Sequence, residues 1–313
     1  MKFFNKIINE KYNKILKKII QTNWFKICLL LVFLLIFLNI FKENKKNKEN
    51  FSQKKEFILK DGDELYDEFY SELYDELILD KIKNKFELKS ILNKTEINEN
   101  SKLLDVGSGT GEMVHLFNKN NVKSEGLDKS LSMINISKKK YENYKFTQGD
   151  VLNSMLYQPN IFTHITCLYF TIYYIKNKKI FFENTFKWLE KDGYLIIHLV
   201  DRNLFDPILD KANPITAVSV QKYADKRITT SIIKFGDFLY KAKFKLNEDN
   251  TATFTETMKH DYSGSIRKNI HRLFMEKKED IIELAKNSGF KLKEEVSLVH
   301  IGYEYQYLYI FQK

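Results

Sequence analysis

The stretch KLLDVGSGTGEMV, Lys102 to Val114, places three glycines at every second position directly after a short apolar run. Leu103, Leu104 and Val106 read as a buried strand, and from Glu112 onward the apolar spacing becomes that of a helix. Gly107, Gly109 and Gly111 therefore occupy a strand-to-helix turn. There the backbone can adopt positive φ and approach a ligand closely, and the unpaired N–H groups at the helix amino end favour something polar or anionic. From Asp61 onward strand-like and helical segments alternate, which predicts an α/β fold with a mostly parallel sheet.

Further landmarks follow the glycine turn in order. VKSEGLDKSLSMI reads as a second strand ending at Asp128, seventeen residues after Gly111, where a carboxylate can accept both hydroxyls of a ribose. YKFTQGDVLN gives a third strand ending near Asp150, and IFTHITCLYFTIYYI a fourth. WLEKDGYLIIHLVD reads as a helix end, a turn and a fifth strand.

In this order and spacing, LLDVGSGTG, GLDKS, QGDVL and WLEKDGYLIIHL resemble the class I S-adenosylmethionine-dependent methyltransferases. The resemblance covers residues 61–313 and implies a Rossmann-like, seven-stranded sheet whose last strand is antiparallel. KKEDIIELAKNSGF, KLKEEVSLV and YEYQYLYIFQ supply the closing helix and two strands. It also implies S-adenosyl-L-methionine as cofactor: Asp105, Gly107, Gly109 and Gly111 around its amino acid part, Asp128 with Lys129 at the ribose, and Asp150 with Val151 at the adenine. A nicotinamide enzyme would carry G-x-G-x-x-G, whereas Gly111 comes one residue earlier. The fourth strand opens Phe162-Thr163-His164 where many relatives have an acidic residue. With no Asn-Pro-Pro-Tyr and no Pro-Cys, amide or adenine methylation of that type and pyrimidine carbon methylation are disfavoured.

Methyl transfer from a sulfonium is an in-line displacement, so alignment supplies up to about 7–11 kcal/mol, and a base adds roughly 10²- to 10⁴-fold. His198 in the fifth strand, just before Asp201 and Arg202, is either a packed strand histidine or such a base; Tyr174 is the second catalytic candidate. In DELYDEFYSELYDEL, Tyr66, Tyr70 and Tyr74 recur at helical spacing. In small-molecule N-methyltransferases that the chain resembles, such a first helix covers the cofactor and lines the acceptor pocket, which brings Tyr66 and Tyr74 into the cofactor set. The nine acidic residues from Asp61 to Asp80 read as a solvated face. Within a long insertion at about residues 203–275, TTSIIKF, FLYKAKFKL and TATFTETMK predict three antiparallel strands, resembling an acceptor lid or dimer arm, so a homodimer is expected. His260, Tyr262, Arg267 and His271 follow as residues able to reach the pocket.

The formal charge of +10 invites a nucleic-acid reading, but its location argues otherwise. Residues 1–60 hold 14 lysines against 4 glutamates, whereas residues 61–313 hold 37 basic and 37 acidic residues, so a phosphate-tracking surface on the main domain is not expected. Cys28 and Cys167 stand apart in apolar runs, with neither a disulfide framework nor metal-ligand spacing, and no metal is expected.

The excess charge surrounds an apolar segment. Residues 24–41, WFKICLLLVFLLIFLNIF, include twelve uninterrupted apolar residues from Ile27 to Leu38 and predict a single transmembrane helix. Lysines on both sides argue against a core helix, and the missing small-residue cleavage site argues against a signal peptide. Residues 1–23 place Phe4, Ile8, Ile15 and Ile19 on one face of a basic amphipathic helix suited to an anionic membrane surface, a packing face or a partner helix. Residues 42–60 read as a charged tether. The lysines do not orient the span, but the cytosolic supply of the cofactor places residues 61–313 in the cytosol. The sequence thus predicts a membrane-anchored methyltransferase for a small-molecule, amine or lipid-like acceptor. A protein methyltransferase at the membrane and a non-catalytic cofactor-binding scaffold are the alternatives.

Overall fold

The computed structural model describes residues 56–208, 221, 224 and 226–313, together with Trp24, Leu31, Leu34 and Leu35, which are helical and exposed. The amphipathic helix, most of the predicted membrane span and the tether up to residue 55 lie outside the described residues. Among the described residues no helix is long and apolar enough to cross a membrane. The chain divides into two units, residues 1–56 with His260–Ser265, and Phe57–Lys259 with Ile266–Lys313. In the first, His260 N–H donates to the Ser265 carbonyl at 2.9 Å to close a turn.

The second unit begins with strand β1 (Phe57–Asp61), helix α1 (Glu68–Ile78) and helix α2 (Lys81–Lys94). Then come β2 (Lys102–Val106), α3 (Glu112–Lys119), β3 (Lys123–Asp128), α4 (Leu131–Lys140), β4 (Lys145–Gln148), β5 (Phe162–Cys167), the short α5 (Thr171–Tyr174), α6 (Lys178–Trp188) and β6 (Leu189–Val200). Four strands follow, β7 (Thr230–Phe235), β8 (Phe238–Leu246), β9 (Thr251–His260) and β10 (Ile266–Phe274), and the chain closes with α7 (Lys278–Asn287), β11 (Lys291–Ser297) and β12 (Gln306–Gln312).

A seven-stranded sheet runs β11-β12-β6-β5-β2-β3-β4, parallel from β6 to β4, with β12 antiparallel to both β6 and β11. Its central strands are buried on both faces: Leu103 to Val106 in β2 and Tyr194 to Val200 in β6 are all inaccessible, the pattern a parallel sheet covered by helices requires. Side-chain caps start several of those helices, Asp80 accepting from Ile82 and Lys83 N–H, Ser130 from Met133 and Asn177 from Ile180. Helix α3 differs, since it starts at left-handed Gly111 with no side-chain cap.

A second sheet runs β1-β10-β9-β8-β7. In β8, Tyr240, Ala242 and Phe244 face inward while Lys241, Lys243 and Lys245 face water. The inner face packs with Leu65, Tyr70 and Leu77 of the α1 region.

Three sequence expectations need correction. The insertion holds four strands rather than three, and β1, assigned to the tether, is the fifth strand of this sheet, parallel to β10. β10 was hidden because its inward positions are Arg267, Asn269, His271 and Leu273, so its polarity alternates the wrong way for a buried strand; β1 was hidden because Phe57 and Leu59 remain exposed. The apolar run from Ile161 to Ile175 is not one strand. It turns at Tyr169, whose φ is 53°, and ends as α5.

The acidic segment from Asp61 to Asp80 is also not simply solvated. Asp61 pairs with Arg272, Asp63 with Lys129, Asp67 with Arg267 and Asp75 with Lys140, while Asp80 accepts from the Tyr303 hydroxyl.

Gly111 has φ +87°, and a Cβ there would stand 2.6 Å from the Phe146 ring. Gly111→Ala should therefore destabilise the fold by about 1–3 kcal/mol through left-handed strain and displacement of Phe146. Chemical denaturation of the purified chain checks this, and an unchanged midpoint would show that β4 yields without cost.

Candidate active site

The glycine turn is tied down before any ligand arrives. Gly107 and Ser108 N–H both donate to the Leu127 carbonyl of β3, at 2.8 and 3.1 Å, and Gly109 N–H donates to Asp128 Oδ2 at 2.8 Å. A side chain at Gly107 would overlap Thr171, whereas Gly109, with φ +53°, meets only Tyr74, 3.7 Å from where its Cβ would stand. The two glycines thus leave bare backbone along one wall of a cavity of about 570 Å³.

Asp128 borders that cavity at the carboxyl end of β3, its Oδ1 accepting from Ser130 N–H at 2.9 Å. Burial raises its carboxyl above the ordinary range, opposed by the backbone donors of Ser130, Gly109 and Lys129. Three donors on about four lone-pair sites leave the carboxylate room for a further one. Lys129 bridges Asp63 at 2.6 Å and Asp150 at 3.5 Å, and Val151 lies beside Asp150 on the wall.

Two expected members of the cofactor set stand elsewhere. Asp105 does not border the cavity; it is buried behind the turn, accepts from Thr166 Oγ1 at 2.7 Å, and burial pushes its carboxyl up to about 7. The cause is strand alternation: Val106 faces the cavity, so Asp105 faces away. Gly111 serves packing against Phe146. His198 is likewise misplaced as a catalytic candidate. It is fully buried off the cavity wall, its Nδ1 bonded to the Tyr169 carbonyl, and burial together with the Lys83 charge pushes its pKa down to about 3.

The same cavity also has an aromatic wall. Tyr66, Tyr70, Tyr74 and Tyr174 all line it, with the Tyr66 ring edge-on to the other three at centroid distances of 5.7–6.5 Å. Tyr66 precedes α1 rather than lying within it. Phe170, Phe205, Phe244 and Phe254 extend the apolar wall. Of the residues after the predicted insertion strands, His271 lines the cavity, Arg267 pairs with Asp67, and His260 and Tyr262 belong to the 260–265 turn.

The sequence reading missed Glu256. Fully buried on β9, it accepts from the Tyr70 and Tyr240 hydroxyls at 3.0 and 2.6 Å, from Asn269 Nδ2 at 3.1 Å and from His271 Nε2 at 2.8 Å. His271 Nδ1 in turn lies 2.7 Å from the Tyr174 hydroxyl. The signal was present: Ala252, Phe254, Glu256 and Met258 share one strand face, so a carboxylate interrupts an apolar register.

The site fits S-adenosylmethionine. Bare positive-φ backbone and a half-buried carboxylate with room for a further donor are what an amino acid group and a ribose need. Among the described residues no group of three or more metal-ligating side chains converges.

Comparison with known proteins agrees. The family model described as a methyltransferase domain matches residues 97–271, and the chain belongs to that family. Phosphoethanolamine N-methyltransferase of Plasmodium falciparum is 29% identical over 150 residues, covering 44% of this chain and 55% of that one, so the match spans about half the relative's length. Among solved structures, the CcbJ methyltransferase of Streptomyces caelestis aligns with a TM-score of 0.61 at 12% identity over 79% of this chain and 96% of its own. An S-adenosylmethionine-dependent methyltransferase of Clostridium acetobutylicum aligns at 0.58 and 15%, covering 78% and 97%. CalS10, an amino pentose methyltransferase of Micromonospora echinaspora with the cofactor bound, aligns at 0.56 and 15%, covering 79% and 98%. These structures share the fold. The family is thus that of the methyltransferase domains, and the cavity offers S-adenosylmethionine a glycine backbone and a carboxylate.

Asp128→Ala should weaken S-adenosylmethionine at least about tenfold, because hydrogen bonds to a charged group are worth ~1.5–3 kcal/mol each and Gly109 also loses its anchor. Asp128→Asn, which keeps an acceptor for Gly109, should lose less. Calorimetric titration measures both; wild-type affinity in the alanine variant would remove Asp128 from the ribose position.

Proposed function

We propose that the protein is a membrane-anchored methyltransferase that transfers the methyl group of S-adenosylmethionine to a small-molecule amine. The observation that carries this reading is the shared cavity: it is walled by glycine backbone with Asp128 and by four tyrosines, of which Tyr174 pairs with His271. Such a chamber suits a small acceptor rather than an extended polymer. The electron-rich ring faces suit a nitrogen that becomes cationic as it is methylated. The relative named for phosphoethanolamine N-methylation and the neighbour described as an amino pentose methyltransferase support an amine acceptor.

The donor supplies the methyl group, and its carbon–sulfur bond breaks as the new bond forms. The residues of this chain hold and align. Gly107 and Gly109 admit the donor against bare backbone, Asp128 and Asp150 fix its nucleoside end, and the tyrosines exclude water from the line of attack. Lys129 ties Asp63 to Asp150 on that wall.

Anchoring rests on the apolar run at residues 24–41 and its flanking lysines. The catalytic part then faces the cytosol, where the donor is made.

The full chain in detergent should bind S-adenosylmethionine by calorimetry and pass a labelled methyl group to at least one of phosphoethanolamine, ethanolamine and phenethylamine. A folded sample that binds no cofactor would overturn the enzymatic reading; binding with no amine methylated would overturn the acceptor class.

For the anchor, protease added to sealed vesicles with the cytosolic face outward should digest residues 57–313, and alkaline extraction should leave the amino-terminal segment in the membrane. Full protection of the catalytic part would reverse the topology, and release by alkali would remove the span.

A further inference from the structure

We propose that Tyr174, His271 and Glu256 form a proton-accepting chain for methyl transfer, with Tyr174 meeting the acceptor's N–H and His271 and Glu256 positioning it. This rests on the amine reading above and deepens it, because it requires an acceptor nitrogen that still carries a proton to lose.

The chain crosses between the two sheets. Tyr174 stands on α5, which follows the carboxyl end of β5, the side of a parallel sheet where active sites form. His271 and Glu256 come from β10 and β9 of the second sheet. The distances are 2.7 Å from the Tyr174 hydroxyl to His271 Nδ1 and 2.8 Å from His271 Nε2 to Glu256 Oε2.

Hydrogen-bond accounting fixes the direction of the chain. Glu256 is fully buried, receives two phenols on Oε1, and receives Asn269 Nδ2 on Oε2. A carboxylate that accepts at every bond is satisfied only when ionised. Burial alone would raise its pKa, but His271 and the donors Tyr240 and Asn269 hold it below the ordinary value. The proposed chain requires His271 to present Nε2–H to Glu256 and a bare Nδ1 to Tyr174, whose O–H then donates into it. Tyr174 lines the cavity and its oxygen also takes a hydrogen bond from Tyr66, which the acceptor's N–H would replace.

As the acceptor nitrogen bonds to the methyl carbon, the carbon–sulfur pair stays on sulfur as a neutral thioether. The nitrogen's proton passes to the Tyr174 oxygen while the phenolic proton moves to His271 Nδ1. The resulting imidazolium is neutralised by Glu256, and its proton later returns to water as product leaves. The ionisable groups facing His271 are Glu256 from β9, Tyr174 from α5, and Tyr66 and Tyr70 from the α1 region. Burial raises all three phenols, which stay neutral.

The test uses the full chain in detergent with isotope-labelled histidine and saturating S-adenosylmethionine. Nitrogen NMR at neutral pH should show His271 protonated at Nε2 and bare at Nδ1, and Tyr174→Phe should move only the Nδ1 signal toward that of an unbonded acceptor. A ring protonated at Nδ1, or doubly protonated from mildly acidic to mildly alkaline pH, would overturn the proposal, since neither form can take the phenolic proton. With phosphoethanolamine and phenethylamine as probe acceptors, Tyr174→Phe and His271→Asn should each lower kcat by roughly 10²- to 10⁴-fold and leave KM and cofactor affinity in place. Retained kcat in either variant would equally overturn it. If cofactor binds but neither probe is methylated, the acceptor class fails, and the NMR result alone decides the proton chain.

Discussion

A single carboxylate, that of Glu256, couples the second sheet to the cavity. An ionised group with no access to water is sustained only by a full set of donors, because an unpaired buried charge costs several kcal/mol. Those donors come from α1 through Tyr70, from β8 through Tyr240, and from β10 through Asn269 and His271. Because His271 also reaches Tyr174, the same charge fixes the position of α5 relative to the second sheet. Moving any one of these elements would strand a donor or the carboxylate, which makes the acceptor end a rigid wall rather than a loose collection of loops.

The donor end obeys a different constraint. There the glycine turn is held by backbone donors and by Asp128, and the charge lies on the side facing the ligand. One carboxylate is saturated by the protein and the other is left with capacity. That contrast separates a group that orients its neighbours from one that binds, and it explains why Asp105, equally buried but bonded to Thr166 behind the turn, belongs with the first kind.

The donor end was legible in the sequence because its signals are local. A strand, a turn with three glycines, and acidic residues at the ends of the next two strands all lie within fifty residues, and each is dictated by backbone geometry. The acceptor end was only half legible. Tyrosines at helical spacing pointed to a lining, and Tyr70 and Tyr74 do share α1, but Tyr66 lies before the helix and Tyr70 turns back to Glu256. β10 was hidden because its inward face is Arg267, Asn269 and His271, whose burial makes sense only once Asp67 and Glu256 are known to meet them. The Asp67–Arg267 pairing joins residues 200 positions apart, and such a pairing leaves no mark in a local pattern. His198 misled for the opposite reason: a histidine in an apolar strand near a sheet end has the right address, but its side chain is wholly within the core.

The chemistry that remains for the acceptor end follows from which of its groups can change charge. Burial raises Tyr66, Tyr70, Tyr74 and Tyr174 far above neutrality, so these phenols orient and donate but do not ionise unaided. Glu256 is committed to its four donors. A phenol gains basicity only when its own proton has somewhere to go, and the imidazole of His271, held by Glu256 on its far side, is the destination within 2.7 Å. On the proposed reading the aromatic wall and the buried carboxylate answer one requirement together: the wall would align nucleophile and methyl group, and the bonded side chains behind it would give the released proton a route.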